Sequence, residues 1–197
     1  MTATNWRAAL PALSSPSLVL REPVVEDAGA LVGLLSLGDA SGFALDRPVT
    51  QRAAEEFISR AQRDRHDGLS FTFVVLLAEA RALVGLVQVR RLDPAFEGAE
   101  WEATLAPFAR GTGVFAEASR LIGSFAFGPV GVHRLEARVL LQNGRANSAL
   151  RKIGAVQEGI LRRSARRGDD YVDQVLWSML REDWKGDAHA PTSPRIH

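Results

Sequence analysis

The sequence predicts a mixed α/β domain with mostly antiparallel strands. Apolar residues recur at helical spacing between residues 24 and 65, and three β-rich runs follow at 70–79, 82–91 and 99–107. A helical pattern then separates the strand at 99–107 from another at 133–141, and a strand–helix–strand unit of this kind implies one parallel pair. We therefore expect helices and strands to be interspersed around one sheet.

The N-terminal half begins with a strand and two helices. The run LVLREP (18–23) predicts a short strand that ends at its proline. Residues 24–37 have acidic residues in the first turn and a leucine stripe, which is typical of an amphipathic helix. Thr50 is the predicted N-cap of a second helix that ends near Arg65.

The remaining elements follow the central strands. The runs at 70–79 and 82–91 predict a hairpin, and 99–107 alternates as a third strand. The chain then predicts a helix over 113–128, a strand over 133–141, a helix over 143–154 and a long hairpin over 155–180. The helix should end at Gly128-Pro129, and the hairpin should turn near Gly168-Asp169.

Composition places the chain in the class of ordinary globular proteins. Its 197 residues are 46% hydrophobic and 24% charged, which is enough for one domain with a buried core. We predict that domain over 17–184, with flexible tails at 1–16 and 185–197. The net charge of +1 gives no general attraction to nucleic acid, so we expect no nucleic-acid partner.

Several classes of site and location are disfavoured by residue usage. The chain has no cysteine, which excludes disulfides, thiolate metal sites and a cysteine nucleophile. The histidines lack metal-ligand spacing, so we expect no metal. There is neither a long apolar run nor a signal-peptide pattern, and we expect a cytoplasmic protein without a membrane partner.

The most distinctive short motif is Arg110-Gly111-Thr112-Gly113, between a strand and a helix. Unpaired amides and the helix dipole favour an anion there, and glycines let the backbone approach a phosphate. It is not a Walker loop, because no Gly-Lys-Ser/Thr follows, and the third glycine of a dinucleotide fingerprint is missing. Taken by itself, the motif fits a phosphate cradle and a bare turn equally well.

The surrounding segments resemble the GNAT superfamily of acyl-CoA-dependent N-acyltransferases, most closely its RimJ/RimL branch of ribosomal-protein N-terminal acetyltransferases. The resemblance covers roughly residues 18–184. It rests on AEWEATLAPFARGTGVFAEA, on GVHRLEARVLLQNGRANSALRKIGAVQEGILR and on the closing GDDYVDQVLWSMLREDW. It implies a central, mixed and mostly antiparallel twisted sheet of about six to seven strands with about four helices. A V-shaped splay should separate the fourth and fifth strands.

The resemblance also implies a binding site for acetyl-CoA. The loop amides would hold the pyrophosphate, and the splay would admit the pantetheine arm. A backbone N–H at Leu105 or Ala106 would polarise the thioester carbonyl. Asn143 would contact the pantetheine end, although an N-cap role explains it equally well. The full set of expected coenzyme contacts is Leu105, Ala106, Arg110, Gly111, Thr112, Gly113, Val114, Asn143 and Asn147.

A carboxylate is needed to accept the proton of the acceptor amine. Glu100 stands where this branch usually carries a glutamate, and Glu102 is a weaker candidate on the same face of the strand. Two carboxylates on one face can raise the pKa of one of them. Solvent exposure or an ion pair is the competing explanation for both residues.

Two positions depart from the family pattern. Many members carry Gln or Arg where this chain has Phe108, and the branch often places a serine where it has Ala146. Ser148, Tyr171 and Asn147 are weak substitutes for the acid that would reprotonate the thiolate. Release of the thiolate to solvent is the alternative.

These residues predict an N-acetyltransferase that transfers an acetyl group directly from acetyl-CoA to a primary amine. The acceptor could be a protein N-terminus or a small amine, since the loops that select it vary freely on a fixed fold. The alternative is a catalytically weak acyl-CoA-binding regulatory module. The basic cluster RRSARR (162–167) fits a solvated turn better than a site for an acidic substrate or RNA, and the closing hairpin could form a homodimer.

Overall fold

The structure is a computed structural model that describes residues 5–37 and 49–184. It contains one eight-stranded sheet in the order β1-β2-β3-β4-β5-β6-β8-β7. The strands are β1 Leu13–Ser14, β2 Leu18–Arg21, β3 Ser70–Leu77, β4 Leu83–Arg91, β5 Gly98–Leu105, β6 Arg134–Leu140, β7 Val156–Arg167 and β8 Asp170–Leu180. Neighbouring strands are antiparallel except β5 and β6, which are parallel. The predicted mixed α/β fold is confirmed.

Four α-helices accompany the sheet in the described part of the chain: α1 Ala28–Ser36, α2 Gln51–His66, α3 Val114–Phe125 and α4 Gly144–Lys152. Thr50 caps α2 as predicted, because its side chain accepts a hydrogen bond from the Ala53 amide at 3.1 Å. The first predicted helix starts with a 3-10 turn at Val25–Asp27. After α3 the chain continues through a π-helical turn, Ala126–Val130, that includes Pro129.

The helices divide the core between the two faces of the sheet. Leu31, Leu35, Phe57 and Ile58 of α1 and α2 pack with strand residues on one face. Residues of α3 and α4, such as Ile122 and Leu150, pack on the other face in a separate and larger cluster. One face of the sheet is therefore covered by α1 and α2, and the other by α3 and α4.

The N-terminal segment differs from the loosely held tail that the sequence predicts. In residues 5–16, Trp6 is buried and contacts Phe71 and Phe96 edge-on, at centroid distances of 5.7 and 5.5 Å. Leu13 and Ser14 add the short strand β1 at the edge of the sheet. The aromatic contacts explain the difference, since a buried indole anchors a segment that has little propensity of its own. The predicted tail at 185–197 lies outside the described residues.

Candidate active site

β5 and β6 separate soon after they start to pair. Their parallel register covers three residue pairs, Gly98–Arg134, Ala99–Leu135 and Glu100–Glu136. The later residues of β5 and β6 do not pair with each other, although β5 stays paired with β4 and β6 with β8. A cavity of about 240 Å³ lies at this divergence. Its walls are Trp101, Glu102, Ala103, Phe115, Ala137, Arg138, Val139, Leu140, Asn143, Ala146, Leu150, Ala165, Arg166, Arg167 and Gln174. The predicted splay between the fourth and fifth strands, counted without β1, is therefore present.

The two candidate amides at the end of β5 differ in their bonding. The Ala106 amide donates to the Val84 carbonyl at 2.8 Å, so it is already used within the sheet. Bonding alternates along an antiparallel pair, so Leu105, opposite Gly85, directs its N–H and C=O away from β4. Of the two alternative amide donors, the Ala106 amide is engaged by Val84, and the Leu105 amide is the one directed away from β4.

The glycine loop leaves the amides at the start of α3 unobstructed. Gly111 and Gly113 have φ values of 82° and 94°, a region that favours glycine. A Cβ added to either glycine would meet no other atom within 4 Å, so the loop borders open space. Gly113 caps α3 with no side-chain acceptor, and no bond from the amides of 111–116 to the described residues is seen. The loop therefore has the free donors that an anion requires.

Two side chains of this loop hold its shape. The Thr112 hydroxyl donates to the carbonyl of Ala109, the last residue of the 3-10 turn Pro107–Ala109, at 2.7 Å. Arg110 donates from Nε to the Leu105 carbonyl at 2.9 Å. The second bond ties the glycine loop to the end of β5 beside the splay. Phe108, the first departure from the family pattern, is exposed.

The asparagines at the start of α4 have different roles. Asn143 Oδ1 accepts from the Ala146 amide at 3.1 Å, so the N-cap role is present, and the residue also lines the cavity. Asn147 Nδ2 donates to the carbonyls of Leu140 and Asn143 at 3.0 and 2.9 Å, and its Oδ1 accepts from Trp177 Nε1 at 2.8 Å. Because these bonds use its amide, Asn147 holds α4 against the sheet and does not line the cavity.

Glu100 is the centre of an ion-pair network. Its Oε2 accepts from Arg90 Nη2 at 2.6 Å and from Arg90 Nε at 3.2 Å, and its Oε1 lies 3.8 Å from Arg138 Nε. The side chain is only 12% exposed. The competing explanation in the sequence, an ion pair, therefore describes what Glu100 does in this structure.

Glu102 has a different environment two residues further along β5. It lines the cavity, and its Oε1 is buried without a hydrogen-bond partner among the residues that the structure describes. Burial raises the pKa of Glu102 to about 7, opposed by the positive charge of Arg90 and assisted by the negative charge of Glu100. A carboxylate with such a pKa can accept and release a proton near neutral pH.

Sequence reasoning missed the partners that make these glutamates different. Register places Arg90 opposite Glu100 and Gln88 opposite Glu102, and Gln88 in turn donates to Thr72 Oγ1 at 3.1 Å. Alternation along β4 and β5 was a signal that could have found these pairs. The approach of Arg138 from β6 had no local signal, because it depends on the parallel crossover.

The weaker acid candidates lie elsewhere. Ser148 and Tyr171 are exposed and do not line the cavity, whereas Ala146 does. Within residues 5–37 and 49–184, no group of three His, Cys, Asp or Glu side chains could hold a metal ion. No helix in the same two ranges is long and apolar enough to span a membrane.

The family model for the acetyltransferase (GNAT) domain matches residues 17–156. That range is more than half of the chain, so the protein belongs to the GNAT acetyltransferases. It is an N-acetyltransferase of this family, and acetyl-CoA fits the site as its co-substrate.

Individual relatives are distant in sequence and similar in fold. The uncharacterized N-acetyltransferase YnaD of Bacillus subtilis is 21% identical over 87% of this chain and 98% of its own. The structure of Mycobacterium smegmatis RimJ in complex with CoA-disulfide has a TM-score of 0.73 and 21% identity, covering 93% of this chain and 89% of its own. A spermidine N-acetyltransferase SpeG chimera from Vibrio cholerae and hSSAT has a TM-score of 0.71 and 22% identity, covering 84% of this chain and 96% of its own. The similarity to ribosomal-protein acetyltransferases agrees with the predicted RimJ/RimL-like branch.

Proposed function

We propose that the protein transfers an acetyl group directly from acetyl-CoA to a primary amine, with Glu102 as the general base. The observation that supports this best is the buried Oε1 of Glu102 in the wall of the splay, where it has no partner among the described residues. The sequence favoured Glu100, but its Oε2 is engaged by Arg90. We therefore assign the proton transfer to Glu102 and a positioning role to Glu100.

The coenzyme would bind along the glycine loop and the splay. The amides of Gly111 to Val114 would hold its pyrophosphate, because they are free of acceptors in the described structure and the loop borders open space. The Leu105 amide would donate to the thioester oxygen as negative charge develops there. The mercaptoethylamine arm would pass Asn143 and Ala146, which line the same cavity.

The two sides of β5 separate the two substrates in this proposal. Trp101 stacks on Phe115 of α3 at 5.9 Å, on the face that carries the coenzyme loop. Glu102 is the next residue and points to the opposite face. The acceptor would enter from that side, give its proton to Glu102 and attack the thioester carbon. The new C–N bond replaces the C–S bond, and the thiolate leaves and takes a proton from solvent.

The acceptor in this proposal is defined only as a primary amine. Both a protein N-terminus and a small amine are compatible with a cavity of about 240 Å³ that is open to solvent. Relatives of similar fold include enzymes named for ribosomal proteins and for spermidine, so fold similarity does not select between them. A cytoplasmic location and a homodimer through β7 and β8 also stay predictions, and light scattering tests the second.

A pair of measurements distinguishes the enzyme from the alternative, a regulatory acyl-CoA-binding module. Acetyl-CoA should raise the melting temperature in either case. Only the enzyme should release free thiol when a panel of amine acceptors is added. The absence of any thermal shift with coenzyme A or acetyl-CoA at millimolar concentration would contradict the coenzyme site. A shift without amine-dependent thiol release would support the regulatory module.

A further inference from the structure

The cavity at the splay has three arginines in its wall. Among the described residues that line it, Arg138, Arg166 and Arg167 are cationic and Glu102 is the single carboxylate. The sequence favoured a solvated turn for the basic cluster at 162–167. The structure instead brings the end of that cluster, from the tip of the β7–β8 hairpin, to the same cavity as the candidate base.

These three guanidinium groups make fewer or longer contacts with carboxylates than Arg134 of β6 does. Arg134, for comparison, donates to Glu136 at 2.9 Å and to Glu158 at 2.7 Å. The carboxylates closest to Arg138 are at 3.8 and 4.0 Å, which is beyond hydrogen-bond distance. Arg138 therefore retains donors for a further anion.

The hairpin arginines also have donors available. Arg166 donates from Nε to the Gly168 carbonyl at 2.9 Å, and its Nη2 lies 3.9 Å from the exposed Asp169. For the Arg167 side chain we find no hydrogen bond or ion pair with residues 5–37 or 49–184, whereas its backbone pairs with Asp170. Both side chains are exposed, and both line the cavity. An anionic ligand could therefore reach them without displacing a buried ion pair.

Arg138 faces the acceptor side of the sheet. Glu136 pairs with Glu100 across β5 and β6, so Arg138, two residues later, lies on the face of Glu100 and Glu102. The glycine loop belongs with α3, on the side of Trp101 and Phe115. An anion bound by Arg138 is thus separated by the sheet from the proposed pyrophosphate site.

We propose that the preferred acceptor is an amine that carries a carboxylate close to the reacting nitrogen, bound by Arg138, Arg166 and Arg167. This inference rests on the proposed function and names the substrate class of the same site. An acidic residue near a peptide N-terminus meets the requirement. A polyamine does not, because its second cation would meet three guanidinium groups.

Three peptides of equal length test this inference by amine-dependent thiol release. They share the first residue and differ at the second and third, which are acidic, the corresponding amides or lysines. We expect kcat/KM for the acidic peptide to exceed that for the amide peptide by about tenfold, with the lysine peptide lowest. Equal values for the acidic and amide peptides would overturn the proposal and leave the acetyltransferase assignment intact. Absence of turnover with every peptide and with spermidine would contradict both.

Variants of the three arginines test which of them causes the preference for the acidic peptide. Arg138→Gln and the double variant Arg166→Gln/Arg167→Gln should each reduce the ratio of kcat/KM for the acidic peptide to that for the amide peptide by about fivefold. Arg138→Lys, which keeps the positive charge, should retain most of this ratio. Arg162→Gln, on the same hairpin but outside the cavity wall, is the matched control and should keep the ratio. A loss that appears in the KM for acetyl-CoA, with the acceptor ratio unchanged, would assign these arginines to the coenzyme and overturn the proposal.

Discussion

Arg90 and Glu100 face each other across β4 and β5 and form an ion pair with an Nη2–Oε2 distance of 2.6 Å. The pair engages Oε2 of Glu100 and places a cation beside Glu102 without bonding to it. Glu102 therefore keeps a buried oxygen with no partner in the described part of the chain. Two glutamates that are equivalent in the sequence pattern thus differ in what they can do.

The pH dependence of turnover should report Glu102. Its carboxylate must be deprotonated to act as the base, and its pKa is raised to about 7. We therefore expect kcat/KM for the acceptor to rise with pH through an apparent pKa near 7. A pH profile of the wild type and Glu102→Gln tests this, because the variant should lose the limb near pH 7 and keep any limb from the amine itself. An unchanged profile in the variant would assign the base elsewhere.

The same carboxylate should make the fold less stable at alkaline pH. The pKa of Glu102 in the folded state lies above its ordinary value of 4.5, so its contribution to stability is lost as pH rises from 4.5 through about 7. Glu102→Gln should raise the free energy of unfolding by about 2 kcal/mol at pH 8, after allowance for solvent screening, and by little at pH 4. Urea denaturation measures both. Glu100→Gln, which breaks the ion pair with Arg90, should not stabilise the protein at either pH.

Asn147 should matter for stability more than for chemistry. Asn147→Ala leaves the buried indole N–H of Trp177 without its acceptor and frees α4 from the end of β6. We expect a loss of about 2–3 kcal/mol in the free energy of unfolding. Ser148→Ala, one residue further on the exposed side of α4, should change it by less than about 0.5 kcal/mol. Equal losses in the two variants would contradict this role for Asn147.

Coenzyme binding at the glycine loop can be tested by adding one methyl group to the loop. Gly113→Ala places a Cβ at a φ of 94°, which should cost about 1–2 kcal/mol, and directs it into the space proposed for the pyrophosphate. We expect the thermal shift with acetyl-CoA to be largely lost. Gly33→Ala in α1 also meets open space, and the shift should be retained there. An unaltered shift in Gly113→Ala would place the coenzyme elsewhere.

Most of the fold could be predicted because its signals are local. Apolar, β-branched runs predicted β3 and β4, alternation predicted β5, and the hydroxyl of Thr50 marked the start of α2. The edge strand β1 could not be predicted, since two residues carry no period and their position depends on Trp6 packing against Phe71 and Phe96. Pro129 was expected to stop a helix that in fact continues as a π-helical turn.

The site was predictable to the extent that it is built from backbone. The glycine loop and the splay follow from a strand–loop–helix pattern and from the family resemblance. The choice between Glu100 and Glu102 required the burial of one and the salt bridge of the other, which are tertiary properties. The same is true of Arg138, Arg166 and Arg167, because three distant segments must fold before their charges meet at one cavity.

Amine-dependent release of free thiol from acetyl-CoA, measured for the wild type, Glu102→Gln and Glu100→Gln in parallel, tests the central claim most directly. We predict release by the wild type, a fall in kcat of about a hundredfold in Glu102→Gln and a fall of less than about tenfold in Glu100→Gln. Near-normal turnover in Glu102→Gln, with turnover abolished in Glu100→Gln, would contradict the assignment of the base to Glu102.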